Sequence, residues 1–372
     1  MPNNFWSLPR FFLSPLFFIA IFGSLGLIFN LVFYSKWNEG HSIYVLGLMS
    51  FAVMYCMTSL AFILISPTSN KMGHISCVQS SNRLLLRFYW LISLIGVFAA
   101  LHSIITTGLL QDGSLFYNLR FAHTIERTSN RWIGHLSLFS LALALYYAYQ
   151  KQGKLSLVTL FLSLLGSLAF SERTSILFKI SAVYYVWIWL NGLKIKITIF
   201  AIVALFSLFT IIAFSAGKLG GTGAEFFLVK YIGFGLTAID MWVLGHEPIP
   251  CFSSVFGSII GGSLDILFST KQSCGSFQGA PDGMFNVYTY VSAPYFLYGE
   301  MGVLYMMFFL GGLYSVLYNI AQIKRGLFIL MTGVLTYPLI MVFYAWQFSL
   351  TTYFYMLIIL IPLFSKFGVS KK

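Results

Sequence analysis

The feature that most constrains this chain is a succession of long apolar runs. They lie near 11–34, 42–65, 88–110, 132–149, 155–171, 174–192, 195–214, 290–320, 327–349 and 351–365. A bilayer core about 30 Å thick takes roughly 20 apolar residues per helix, and in lipid every backbone polar group must be satisfied inside the helix itself. The runs therefore predict an all-α polytopic membrane protein of about ten spans, with 1–372 forming a single integral membrane domain. Composition agrees, since 58% of the 372 residues are hydrophobic and 9% are charged, against roughly 25% charged in soluble domains. The run from Phe11 to Tyr34 is too long for a signal peptide's apolar region and lacks a small-x-small cleavage site, so it is read as the first span.

The formal charge of +12 would suggest nucleic acid in a soluble protein. Here the basic residues stand at span edges, where they set orientation, and no nucleic-acid partner is expected. With the N terminus in the cytoplasm, the inside segments hold Arg10; Lys71, Arg83 and Arg87; Lys151 and Lys154; Lys194 and Lys196; Lys324 and Arg325; and Lys366, Lys371 and Lys372. The C terminus is then also inside. The stretch 226–245 is helix-like but interrupted by Lys230, Gly233, Gly235 and Asp240. If it crossed, the basic tail would end outside, against the positive-inside tendency, so it is read as a re-entrant or interfacial helix. One large outer loop follows, at about 246–289.

This topology leaves Lys36, Arg120, Arg127, Arg131, Arg173, Lys218, Lys230 and Lys271 on the outer side. The orientation rule does not ask for them. A guanidinium stays charged and offers a planar fork of donors, so several near the headgroup level suit a diphosphate. The alternative for the 120–131 cluster is pairing with phospholipid heads or with Glu126. Arg173 sits in the tight Ser171-Glu172-Arg173-Thr174 turn, which confines it to the membrane surface. Lys218 to Glu225 is either an anion-receiving nest of backbone amides or a flexible glycine-rich connector.

Acid–base work needs a titratable group near the reacting hydroxyl. Candidates are Glu300, Asp282, His246 and Asp240, with Glu300 placed inside an apolar run that would desolvate it. Its alternative is a hydrogen-bonded structural carboxylate. Tyr288, Tyr290, Tyr295 and Tyr298 cluster where the loop meets the next span, as an interface belt or as platforms for sugar rings. Lys179, inside the sixth span, either snorkels or pairs internally. Cys251 and Cys274 share the outer loop, where an oxidising compartment would permit a disulfide. The histidines show no ligand spacing and no Asp-x-Asp pair exists, so no metal and no cofactor are expected. No internal repeat suggests the inverted halves of a secondary transporter.

The Ser-Glu-Arg-Thr turn at 171–174, the run Lys230-Tyr-Ile-Gly-Phe-Gly-Leu-Thr-Ala238, and Asn286-Val-Tyr-Thr289 followed by Tyr295 and Gly299-x-x-Gly302 carry a resemblance. Together with many spans and a late outer loop, they resemble the O-antigen polymerases, the Wzy-type oligosaccharide repeat-unit polymerases of Gram-negative inner membranes. Many relatives carry an acid two positions before the first glycine; here that position is Leu297 and the acid is Glu300. The resemblance implies a metal-independent glycosyltransferase at the periplasmic face. It would move a growing glycan from undecaprenyl pyrophosphate onto an incoming lipid-linked repeat unit, with a chain-length regulator and a flippase as candidate partners. Arg173 is carried over as a pyrophosphate contact, with Lys230, Tyr288 and Tyr295 as further transfers. An O-antigen ligase and a lipid-linked oligosaccharide flippase are the alternatives.

Overall fold

A computed structural model of the chain describes residues 12–33, 39–65, 83–111, 113–124, 132–169, 173–194, 291–324, 326–342 and 351–364, with 196, 198, 199, 203, 207 and 236. Helices form in apolar runs and, for α4, in a connector: α1 Pro15–Phe33, α2 Glu39–Ile65, α3 Arg83–Ser103, α4 Leu115–Thr124, α5 Trp132–Tyr149, α6 Gly153–Leu168, α7 Arg173–Asn191, α8 Ser292–Lys324, α9 Leu327–Ile340 and α10 Thr351–Phe364. A π-helical turn, Ile104–Leu109, prolongs α3. Among the described residues there is no strand. Pro15–Val32, Glu39–Ile65, Arg83–Leu109 and Gly299–Ile323 are long and apolar enough to cross a bilayer. The chain is a membrane protein with several candidate spans.

Local sequence explains the ends. Pro15 opens α1 at a position where its missing N–H costs nothing, and the Ser14 hydroxyl accepts from the Phe17 N–H at 3.2 Å. The turn after α5 closes through Lys151 at φ 58°, with the Gln152 N–H donating back to the Tyr147 carbonyl at 2.9 Å. Between α3 and α5, where the sequence suggested only a connector from Gln111 to Arg131, the structure has α4. Its Asn118, Leu119 and Ala122 are buried and Tyr117 is exposed.

The chain divides into two compact units. One comprises Met1–Gly73, Glu225–Ile323 and Thr336–Phe354; the other comprises His74–Ala224, Lys324–Leu335 and Tyr355–Lys372. In the first, α1 and α2 run antiparallel: the Tyr44 hydroxyl donates to the Gly23 carbonyl at 3.0 Å, and His41 Nε2 bonds Asn30 Oδ1 at 2.7 Å. In the same unit α2 and α8 run parallel. Phe51 meets Tyr314, and further along both helices the hydroxyls of Ser59 and Ser315 bond at 2.8 Å. Gly311 lies so close to the Phe51 carbonyl that a Cβ there would collide with it.

In the second unit α5 is the central helix and packs on α3, α6 and α7. Leu138, Leu141, Ala142, Leu143, Ala144 and Leu145 of α5 are all buried. Serines join its neighbours: Ser93 of α3 with Ser140, Ser163 of α6 with the Ser137 carbonyl, and Ser156 of α6 with the Ala144 carbonyl. Between helices in lipid, where apolar burial drives little, small residues and hydroxyls serve as the adhesive. Ala182, Tyr185 and Val186 of α7 close on Gly333 of α9, and the Tyr89 hydroxyl of α3 donates to the Ile359 carbonyl of α10 at 2.6 Å.

Candidate functional site

Register in the second unit decides which residues share an end. Ser93 pairs with Ser140 and Trp90 with Tyr147, so α3 and α5 are antiparallel. Ser163 and Gly166 meet Ser137 while Ser156 meets Ala144, so α5 and α6 are antiparallel too. Ser167 bonds Ser175 at 2.9 Å, which turns α7 back along α6. One end of this unit therefore collects the last turn of α3, the first turn of α5, the last of α6 and the first of α7. Ala100 of α3 packs on Ala169, just past the end of α6, with Ala99 and Ile104 beside them. The π-helical turn carries α4 at the same end, because Asn118 Nδ2 donates to the carbonyls of Gly108 at 3.2 Å and of Gln111 at 3.1 Å. Gly108 is the residue that lets α4 approach, since a Cβ there would run into Leu115.

This end carries the arginines singled out from the sequence. Arg173 is the first residue of α7 and Arg120 lies on α4. Arg127 and Arg131 belong to the connector that leads from α4 into α5 at Trp132, and both lie outside the described residues. Two helix N-termini, those of α5 and α7, lie at this end, and a helix N-terminus is the positive end of the helix dipole. Such an end favours an anion. The opposite end of the unit holds a different set, the exposed Arg83, Arg87, Lys151, Lys154, Lys194 and Lys196.

Beneath the arginine end stands Lys179 of α7, 1% exposed. Its ammonium donates to Ser137 Oγ of α5 at 2.8 Å and to the Ser163 carbonyl of α6 at 2.7 Å. Of the two fates left open for this lysine, internal pairing is the one observed. Its sequence signal was a lone cation in an apolar run.

In the first unit the α2–α8 register, carried back along both helices, brings Gly299 level with Glu39. Gly299 has φ 66° and ψ −159°, so the apolar run expected to be one straight span is broken there. That backbone region is open to glycine almost alone. Residues 292–298 thus precede the span, and the span begins with Glu300. The carboxylate is exposed at this edge rather than enclosed by the apolar run. Tyr295 lies one turn earlier. Burial holds its phenol above the ordinary range, and the carboxylates of Glu39 and Glu300 push the same way. Glu39, exposed at the start of α2, is the member of this group that sequence reasoning missed, because it precedes the apolar run 42–65. A carboxylate at a wet helix edge can accept a proton.

The remaining candidates, Lys230, His246, Cys251, Cys274, Asp282, Tyr288 and Tyr290, lie outside the described residues. Among the described residues no group of three or more His, Cys, Asp or Glu side chains is arranged to hold a metal ion. No protein-family model, curated protein or solved structure matches the chain.

Proposed function

We propose that this chain is an inner-membrane glycosyltransferase that extends a glycan carried on a polyprenyl diphosphate, as an O-antigen polymerase does. The observation that carries the reading is the end of the second unit to which the backbones of Arg120 and Arg173 and the N-termini of α5 and α7 all belong. In the reaction the acceptor hydroxyl oxygen bonds the anomeric carbon, the bond from that carbon to the diphosphate breaks, and the diphosphate leaves with the electron pair. Fixed positive groups stabilise the charge that develops on it. The hydroxyl proton passes to a general base; Glu300, Asp282 and His246 are the candidates that the sequence offers for that role.

The topology expected from the sequence, about ten spans with both termini cytoplasmic, fits two further observations. The exposed basic residues of the second unit's other end coincide with those assigned to the inside. The parallel pairing of α2 with α8 requires an odd number of crossings between them. The helices α3, α5, α6 and α7 make an even number, so one more crossing is needed. A crossing 195–214 with a non-crossing 226–245 supplies it. The cationic end then faces the periplasm.

Lipopolysaccharide from a strain whose only copy carries Arg173→Ala tests the reading. With normal protein abundance, long ladders should disappear and core bearing one repeat unit should remain; ladders of normal length would defeat the assignment, and bare core would indicate a ligase. A lipid-linked oligosaccharide transporter is the second reading, favoured by the break at Gly299, because discontinuous spans line many transport paths. Vesicles that translocate such a lipid only when this protein is present would favour it.

A further inference from the structure

The end of the second unit opposite Arg120 and Arg173 carries cations without acids. Arg83, Arg87, Lys151, Lys154, Lys194 and Lys196 are all exposed there. The acids in the sequence of this unit are Asp112, Glu126 and Glu172, and they fall in the connectors after α3, before α5 and before α7, toward its other end. Among the described residues the carboxylates are Glu39 and Glu300, and both belong to the first unit. Orientation in a membrane asks only that basic residues stand on the cytoplasmic side. It does not ask that they be arranged.

Two of them are. The helices α3 and α6 both run antiparallel to α5, and they pack against it and against each other. Ser93 of α3 pairs with Ser140, and six residues along each helix from that pair stand Arg87 and Tyr146. Ser156 of α6 bonds the Ala144 carbonyl, and two residues along each helix from that pair stand Lys154 and again Tyr146. Arg87 and Lys154 are therefore level with each other, on neighbouring helices whose axes pack about 8–10 Å apart. Beneath each, the helical repeat sets an exposed apolar stripe: Leu91, Ile95 and Phe98 on the face of α3 that holds Arg87, and Leu157, Val158 and Phe161 on the face of α6 that holds Lys154. Long basic side chains hold their charge at the head-group level while their stems cover apolar surface.

We propose that the junction of α3 and α6 binds an anionic phospholipid of the cytoplasmic leaflet: Arg87 and Lys154 take its phosphate diester, Arg83 and Lys151 add charge beside it, and its acyl chains lie along the two stripes. A guanidinium can meet two phosphate oxygens at once, and an ammonium adds a compact charge. The apolar stripes alone would suit any lipid. The cations make the choice, because a zwitterionic lipid brings a cation of its own to the same place; basic pockets between membrane helices on this side select anionic head groups in this way. The site is independent of the glycan-extension reading.

The test is native mass spectrometry of the full-length protein in detergent micelles, titrated with phosphatidylglycerol and, separately, with phosphatidylcholine. Wild type should hold phosphatidylglycerol about tenfold more tightly or better, and each charge removed from the site should cost about fivefold. Arg87→Gln combined with Lys154→Gln should thus lose most of the preference while phosphatidylcholine binding stays unchanged. Lys194→Gln combined with Lys196→Gln removes as much charge from the same end, just past α7, and should keep the preference. Equal loss in the two double variants would mean diffuse attraction to a basic surface and overturns the site, as does a wild type that holds both lipids alike. Excess inorganic phosphate should leave the lipid bound, since it lacks the chains that lie on the stripes; displacement would mark a site for free phosphate and overturns the proposal. If the first double variant does not fold, Lys154→Gln alone decides: about fivefold weaker phosphatidylglycerol binding is expected, and unchanged binding overturns the site.

Discussion

Replacing Gly299 by alanine separates a backbone argument from a packing argument. A Cβ built at Gly299 meets nothing within 4 Å, so the substitution introduces no clash. The whole cost is conformational: at φ 66° and ψ −159° an L residue is strained, by about 1–3 kcal/mol. An ordinary glycine inside a helix behaves oppositely, because changing it to alanine stabilises by about 0.5–1 kcal/mol. The two cases differ in sign, which makes the experiment decisive. Gly299→Ala should therefore lower stability by about 1–3 kcal/mol in equilibrium unfolding by a denaturing detergent. If the chain instead relieves the strain by straightening α8, the segment 292–298 swings away from α2 and glycan extension falls. A variant that is more stable than wild type and fully active would refute the break.

Other perturbations probe the rest of the account. Gly311→Ala should destabilise by about 1–3 kcal/mol, since its methyl group must displace the rigid Phe51 backbone, and unfolding measurements check it. Asn319 donates to Ser59 at 3.3 Å and to Ser315 at 3.2 Å, so Asn319→Leu should cost about 0.5–2 kcal/mol, read in the same assay. In a background with the native cysteines replaced, Gln111→Cys should react with an impermeant maleimide in intact cells, whereas Lys151→Cys should react only after permeabilisation; both positions are exposed, at opposite ends of the second unit. Glu300→Gln should reduce glycan extension while leaving farnesyl diphosphate affinity unchanged, measured on the purified protein.

The helices were legible because lipid imposes one strong rule, the continuous apolar run, and α1, α2, α3, α5, α6 and α7 fall close to the apolar runs, with α1, α2 and α3 among the helices long and apolar enough to cross a bilayer. Features that depend on tertiary contact were not legible. The helix α4 owes its existence to Gly108 and Asn118 docking it on a π-helical turn, and no periodicity rule announces a π-turn. The break at Gly299 looked like a glycine within a span, since sequence shows that φ can be positive but not that it is. For the candidate site, charge counting found Arg120 and Arg173 and their shared side. Their placement at one end of a unit follows from contacts such as Ser137 with Ser163 and Asn118 with Gly108, which sequence spacing does not reveal. Lys179 was visible as an anomaly; its two acceptors come from helices distant in sequence.

The central claim is that the cationic end holds the diphosphate of a lipid-linked glycan while that glycan is transferred. Purified protein in liposomes, supplied with undecaprenyl-diphosphate-linked repeat units and followed by gel analysis of the glycan, tests it most directly. The account predicts products of several repeat units from wild type and unextended substrate from Arg173→Ala. Extension by Arg173→Ala at the wild-type rate, or none by wild type, would contradict it.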